Sequence, residues 1–105
     1  MDYKQEYSLT VLASLGEVSP SKENSDAIKQ IINNWIYGMN QQLSAYPTPK
    51  YTLRISGVSA QGDKVEESIF VGINWLGNGK GVSTLADTQI FRLHQLLEQV
   101  LNKAS

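Results

Sequence analysis

The chain has 105 residues, a formal net charge of −1, 41% hydrophobic residues and only 18% charged ones. This length fits one domain with one modest core and leaves no room for a two-lobed enzyme. There is no cysteine, which excludes disulfides, thiolate metal sites and thiol nucleophiles together.

The charged share is below the usual roughly 25%. Ser, Thr, Asn and Gln carry much of the polarity, and such uncharged faces are easier to bury against a partner. No run of Lys or Arg marks a surface for duplex DNA or an anionic membrane. The N-terminal "MDYKQEYSLT" lacks the apolar segment of a signal peptide, and no apolar stretch approaches the length of a membrane span. The expected setting is cytoplasmic.

The first element is a strand from Tyr3 to Leu15. Tyr7, Leu9, Val11, Ala13 and Leu15 alternate with Ser8, Thr10, Leu12 and Ser14, a period of two with one face buried. Gly16 closes it. "EVSPSKENSD" follows as a helix entry, with Ser19 before Pro20, or Ser25, as N-cap. Ile28, Ile31, Ile32, Trp35, Ile36, Met39 and Leu43 then recur at helical spacing, predicting an amphipathic helix to about Leu43.

Pro47 and Pro49 in "AYPTPK" cannot continue that helix. Tyr51 to Ala60 reads as a strand, "AQGDK" as a hairpin turn with Gly62 at the reversal, and Val65 to Leu76 as the return strand. On this reading Ile69, Val71, Ile73 and Trp75 face the core, and Ser68, Phe70, Asn74 and Leu76 face away. The last helix runs from Thr84 or Asp87 to about Lys103. Its stripe is Ile90, Leu93, Leu97, Val100 and Leu101, widened by Phe91 and Leu96.

The expected fold is therefore a single α+β domain over residues 1–105. It is a two-layer sandwich with an antiparallel sheet of three or four strands, two helices on one face, and the order β-α-β-β-(β)-α. That order is similar to a ferredoxin-like β-α-β-β-α-β unit without its last strand, a likeness of topology only.

"GINWLGNGKGVST", residues 72 to 84, holds four of the eight glycines and a lysine. A strand, a glycine-rich loop and a helix start can bind phosphate through converging amides. On that alternative Gly77, Asn78, Gly79, Lys80 and Gly81 would form a small-anion or nucleotide site. The details speak against it. Gly81 follows Lys80 where a Walker A loop requires Ser or Thr, and there is no G-x-G-x-x-G. Asn78-Gly79 between apolar runs reads instead as a hairpin turn into a short strand, Lys80 to Thr84.

His94 is the single histidine, with Glu98 four residues on; it reads as a boundary residue, since one histidine and one carboxylate make no metal site. Glu66 and Glu67 are neighbours on a strand, so they point to opposite faces and cannot act as an acid/base pair. No catalytic set, metal or cofactor is expected.

The face turned away from the helices carries the functional expectation. Leu12, Arg54, Phe70, Asn74 and Leu76 should sit there among Ser and Thr, with Arg54 as its one charge. Such a face has the chemistry of a contact surface. The reading is a non-enzymatic protein-binding module, an adaptor, regulator or inhibitor in class, that uses its sheet face or edge and takes a protein partner or itself as a homodimer. A third reading is weak single-stranded nucleic-acid binding through Lys50, Arg54, Phe70 and Lys80. It is the lesser one, because sheet platforms for RNA need two or three aromatics and a basic strand, and "EESIFVGINW" offers one outward aromatic, Phe70, and two acids.

Overall fold

The computed structural model describes residues 6–14, 16–37, 48–78 and 81–104. The chain is an α+β domain with one six-stranded antiparallel sheet and two helices. The strands are β1 (Ser8–Ala13), β2 (Gly16–Val18), β3 (Tyr51–Val58), β4 (Lys64–Val71), β5 (Trp75–Gly77) and β6 (Val82–Thr84); the helices are α1 (Lys22–Tyr37) and α2 (Asp87–Ala104). The sheet order is β2-β1-β3-β4-β5-β6. The sheet thus has two strands more than the largest count expected, and the order β-β-α-β-β-β-β-α departs from the ferredoxin-like comparison.

One extra strand, β2, forms at the start of the segment read as the helix entry, and the other, β5, comes from a reversal inside the segment read as one strand. Gly16 adopts φ 132°, which other residues avoid. It starts β2 instead of merely ending β1, and Val11 pairs with Val18, Leu12 with Glu17 and Ala13 with Gly16. The second reversal follows Val71. The Gly72 amide donates to the Trp75 carbonyl at 2.9 Å, and β5 turns back along β4 with Phe70 opposite Gly77 and Val71 opposite Leu76.

That turn inverts the side-chain phase of everything after it, because register is set by a period of two. Leu76 joins Val71 on the core side and is fully buried, whereas Ile73 is 71% exposed in the turn. Trp75 shares the phase of Gly77 and Phe70 on the opposite face. It is nonetheless buried, with its indole lying where a Cβ on Gly72 would be.

The core is one cluster. Leu9, Val11, Leu53, Ile55, Ile69, Val71 and Leu76 from the strands meet Ile28, Ile31, Ile32 and Trp35 of α1 and Leu93, Leu96, Leu97 and Val100 of α2. Among the described residues both helices therefore cover the same face. In α1 the stripe residues Met39 and Leu43 lie outside the described residues. The α1 cap is Ser21, neither Ser19 nor Ser25: its hydroxyl accepts from the Asn24 amide at 3.3 Å and its carbonyl from the Ser25 amide at 2.8 Å. In α2, Phe91 is 65% exposed, so it leaves the stripe that it was expected to widen.

Trp35 and Lys29 of α1 each bond across to the sheet layer. Trp35 of α1 reaches the edge strand β6, where its indole Nε1 donates to Ser83 Oγ at 2.6 Å. Lys29, buried on α1, donates from Nζ to the Tyr7 carbonyl at 2.8 Å. Burial holds the Lys29 ammonium below the ordinary lysine value, against the raising influence of Asp26 and Glu6. Asp26 stands 3.9 Å away, too far for a hydrogen bond.

Candidate interaction surfaces

The face of the sheet away from the helices is read directly from the register. Ser8 lies beside Ser56, and Ser56 beside Glu66; Thr10 lies beside Arg54, and Arg54 beside Ser68. Thr52 pairs with Phe70, Phe70 with Gly77, and Gly77 with Val82. One residue past the Val11–Leu53 pair, Leu12 comes in line with Thr52, so Leu12 and Phe70 flank Thr52 in one row across β1, β3 and β4. Val58 pairs with Lys64 at the far end of the same phase.

Of the five residues expected on this face, Leu12, Arg54 and Phe70 are there. Leu12 is 41% exposed and Phe70 is half-buried. Leu76 is not: the turn at Gly72 sends it into the core. Asn74 is exposed but stands in that turn, off the ladder, where its carbonyl accepts from the Leu85 amide at 3.1 Å.

The face is also more charged than expected. Arg54 Nη1 lies 3.6 Å from Glu17 Oε1, which also accepts from Thr10 Oγ1 at 3.0 Å. Lys64 and Glu66 share the phase, so among the described strand residues the face carries two acids and two bases. Glu17 escaped the sequence reading because β2 was not foreseen. Val58, at 61% exposure, is a further apolar contribution that strand alternation from Leu53 and Ile55 could have found.

The glycine-rich stretch forms the β5–β6 hairpin. Gly77 pairs with Val82, the Asn78 amide donates to the Gly81 carbonyl at 3.2 Å, and the Gly81 amide donates to Asn78 Oδ1 at 3.1 Å. Gly79 and Lys80 lie outside the described residues. Two of the amides that would face an anion, those of Asn78 and Gly81, are thus already bonded within the turn.

A second surface, which the sequence did not disclose, lies on the other layer. Ile73 in the β4–β5 turn and Asp87, Thr88, Ile90, Phe91 and His94 of α2 line an open groove of about 480 Å³. His94 forms part of its wall and is held from two sides. Its Nε2 lies 2.8 Å from the Gly72 carbonyl; the carbonyl can only accept, so Nε2 carries the proton of that bond. The Tyr51 ring packs against the imidazole with centroids 5.6 Å apart and a 58° tilt.

Glu98 pairs with Tyr51 rather than with His94. Burial raises the Tyr51 phenol above its ordinary value, and the Glu98 carboxylate, through its charge and a hydrogen bond, adds to the rise. Among the described residues no three His, Cys, Asp or Glu side chains gather in a metal-binding arrangement, and no helix is long and apolar enough to cross a membrane.

No protein-family model, no curated protein and no solved structure matches the chain.

Proposed function

We propose that this chain is a protein-binding module that works through the open face of its sheet, and that the occupant of that face is a second copy of the chain. The observation that carries this reading is the row Leu12, Thr52, Phe70 with the Glu17–Arg54 pair beside it, on the face opposite to the core against which both helices pack.

The balance of charge favours a second copy. In a two-fold contact a surface meets itself, so a face of one sign would repel its own image. Among the described strand residues Glu17, Arg54, Lys64 and Glu66 carry two charges of each sign, so this part of the face is neutral, with Ser and Thr between. Exposed Leu12 and Val58 add apolar area.

Face-to-face contact fits better than edge pairing. Both edge strands, β2 and β6, have three residues, and such short edges offer few ladder hydrogen bonds to an incoming strand. Trp75 and Val82 on this phase are buried, so the exposed part of the face is that of β1–β4, on the order of 400 Å² in flat area at about 4.8 Å between strands and 3.3 Å along them. Stable interfaces bury roughly 800 Å² per partner, so the contact belongs to the reversible class.

Sedimentation velocity over a concentration series tests the proposal. The expected result is a reversible dimer of the 11.7 kDa chain that Leu12→Glu converts to monomer with an unchanged circular dichroism spectrum. A parent chain that stays monomeric at millimolar concentration, or a dimer indifferent to Leu12→Glu, would overturn it.

A further inference from the structure

The groove between Ile73 and Phe91 belongs to the helix layer, away from the open sheet face, and stands independently of the dimer reading. We infer that it is a docking site for a partner segment that carries a large apolar residue between basic ones.

The argument starts from α2. Asp87, Phe91, His94 and Glu98 recur at i, i+4, i+7 and i+11, so they form one stripe along the helix. Two of the four are acidic and lie at its ends; Phe91 and His94 lie between. The bases of α2 are elsewhere. Arg92 and Lys103 sit about 100° or more around the axis from Phe91, and both are exposed. Lys50 precedes Tyr51 on the opposite phase of β3. Among the described residues the groove wall is mainly apolar and carries one acid, Asp87, and no Lys or Arg, and Glu98 continues the stripe one turn beyond His94.

The walls also suit an incoming side chain. Ile73 is 71% exposed and Phe91 65%, which is unusual for large apolar groups that face each other across a groove. Ile90 is buried beneath them. The Gly72 carbonyl and the Tyr51 ring already hold His94 in place, so binding does not have to order that wall. A leucine or phenylalanine fills the space between Ile73 and Phe91. Lysine or arginine on either side then meets Asp87 and Glu98.

Asp87 and Glu98 are eleven residues apart, about 16 Å along a helix. An extended segment spans that distance in about five residues at 3.3 Å each. The capped peptide Lys-Ser-Leu-Phe-Ser-Lys has that spacing, and Glu-Ser-Leu-Phe-Ser-Glu is its charge-reversed control.

Each peptide is titrated into the full ¹⁵N-labelled chain and followed by amide chemical shifts. The expected result is that the lysine peptide moves the amides of Ile73, Thr88, Phe91 and His94, binds at least about tenfold more tightly than the glutamate peptide, and weakens as salt rises. Asp87→Asn and Phe91→Ala, both at exposed positions, each weaken it several-fold, and Leu12→Glu leaves it unchanged. Equal binding of the two peptides, no shift at millimolar peptide, or shifts centred elsewhere would overturn the inference. So would loss of self-association in Phe91→Ala, which would make the groove an interface between copies.

Discussion

The indole Nε1 of Trp35 donates a 2.6 Å hydrogen bond to the hydroxyl of Ser83, joining the helix α1 to the middle of the edge strand β6 across 48 positions of sequence. Ser83 is fully buried and Trp35 nearly so. It faces the core because its partner in the ladder is Leu76. A buried indole N–H without an acceptor loses its hydration with nothing in return.

Ser83→Ala is therefore expected to destabilise the fold by about 1–3 kcal/mol, the cost of an orphaned buried donor. Urea unfolding should show a lower midpoint with an unchanged slope. Trp35→Phe with Ser83→Ala should cost less than the two single changes added, because the double variant has no orphan. Strict additivity would show that the bond carries no coupling.

Two glycines are required by close approach. A Cβ on Gly57 would stand 2.5 Å from the Tyr7 ring, and a Cβ on Gly72 would coincide with the Trp75 indole. Gly57→Ala and Gly72→Ala should each cost about 1–3 kcal/mol as overpacking. Tyr7 and Trp75 are both buried and cannot swing aside freely. Thermal unfolding checks both, and Trp75 fluorescence should change in Gly72→Ala alone.

The corrected phase of β5 gives a sharper test. Leu76→Asp places a charge in the centre of the core and should prevent folding. Leu12→Asp, on the exposed outer face, should shift stability by no more than about 0.5 kcal/mol in the monomer. Under the phase expected from sequence alternation, both substitutions would have been surface changes. Circular dichroism and chemical denaturation of the pair distinguish the two.

Lys29 and Tyr51 predict opposite alkaline slopes. The Lys29 pKa is lowered on folding, chiefly by burial, so between its folded value and 10.5 the unfolded chain binds more protons. Stability contributed by this group rises with pH through that window. The Tyr51 pKa is raised on folding, by burial and then by Glu98. Its contribution is present below 10 and is lost as pH climbs towards the folded value. Denaturation midpoints of Lys29→Met should lack the rise, and those of Tyr51→Phe should lack the fall. A parent and a variant with parallel pH curves would contradict the corresponding assignment.

The sequence alone determined the composition of the layers. Helical spacing located α1 and α2, alternation located β1, β3 and β4, and Gly62 with Asn78–Gly81 located two hairpins, because these signals act within a few residues of chain. It also placed Leu12, Arg54 and Phe70 on the outer face, since each follows from an uninterrupted period of two. Tertiary structure decided the rest. Gly16 and Gly72 each sit where the chain turns back on the preceding strand; in sequence Gly16 reads as a strand end and Gly72 as a residue within an alternating run, until the partner strand is known. The reversal at Gly72 moved Leu76 into the core and brought Ile73 out beside Phe91. Glu17 against Arg54, Ser83 against Trp35, and the acidic stripe against Ile73 are all contacts between segments distant in sequence. No local pattern encodes such pairings; they exist once the core has closed and set each surface beside the next.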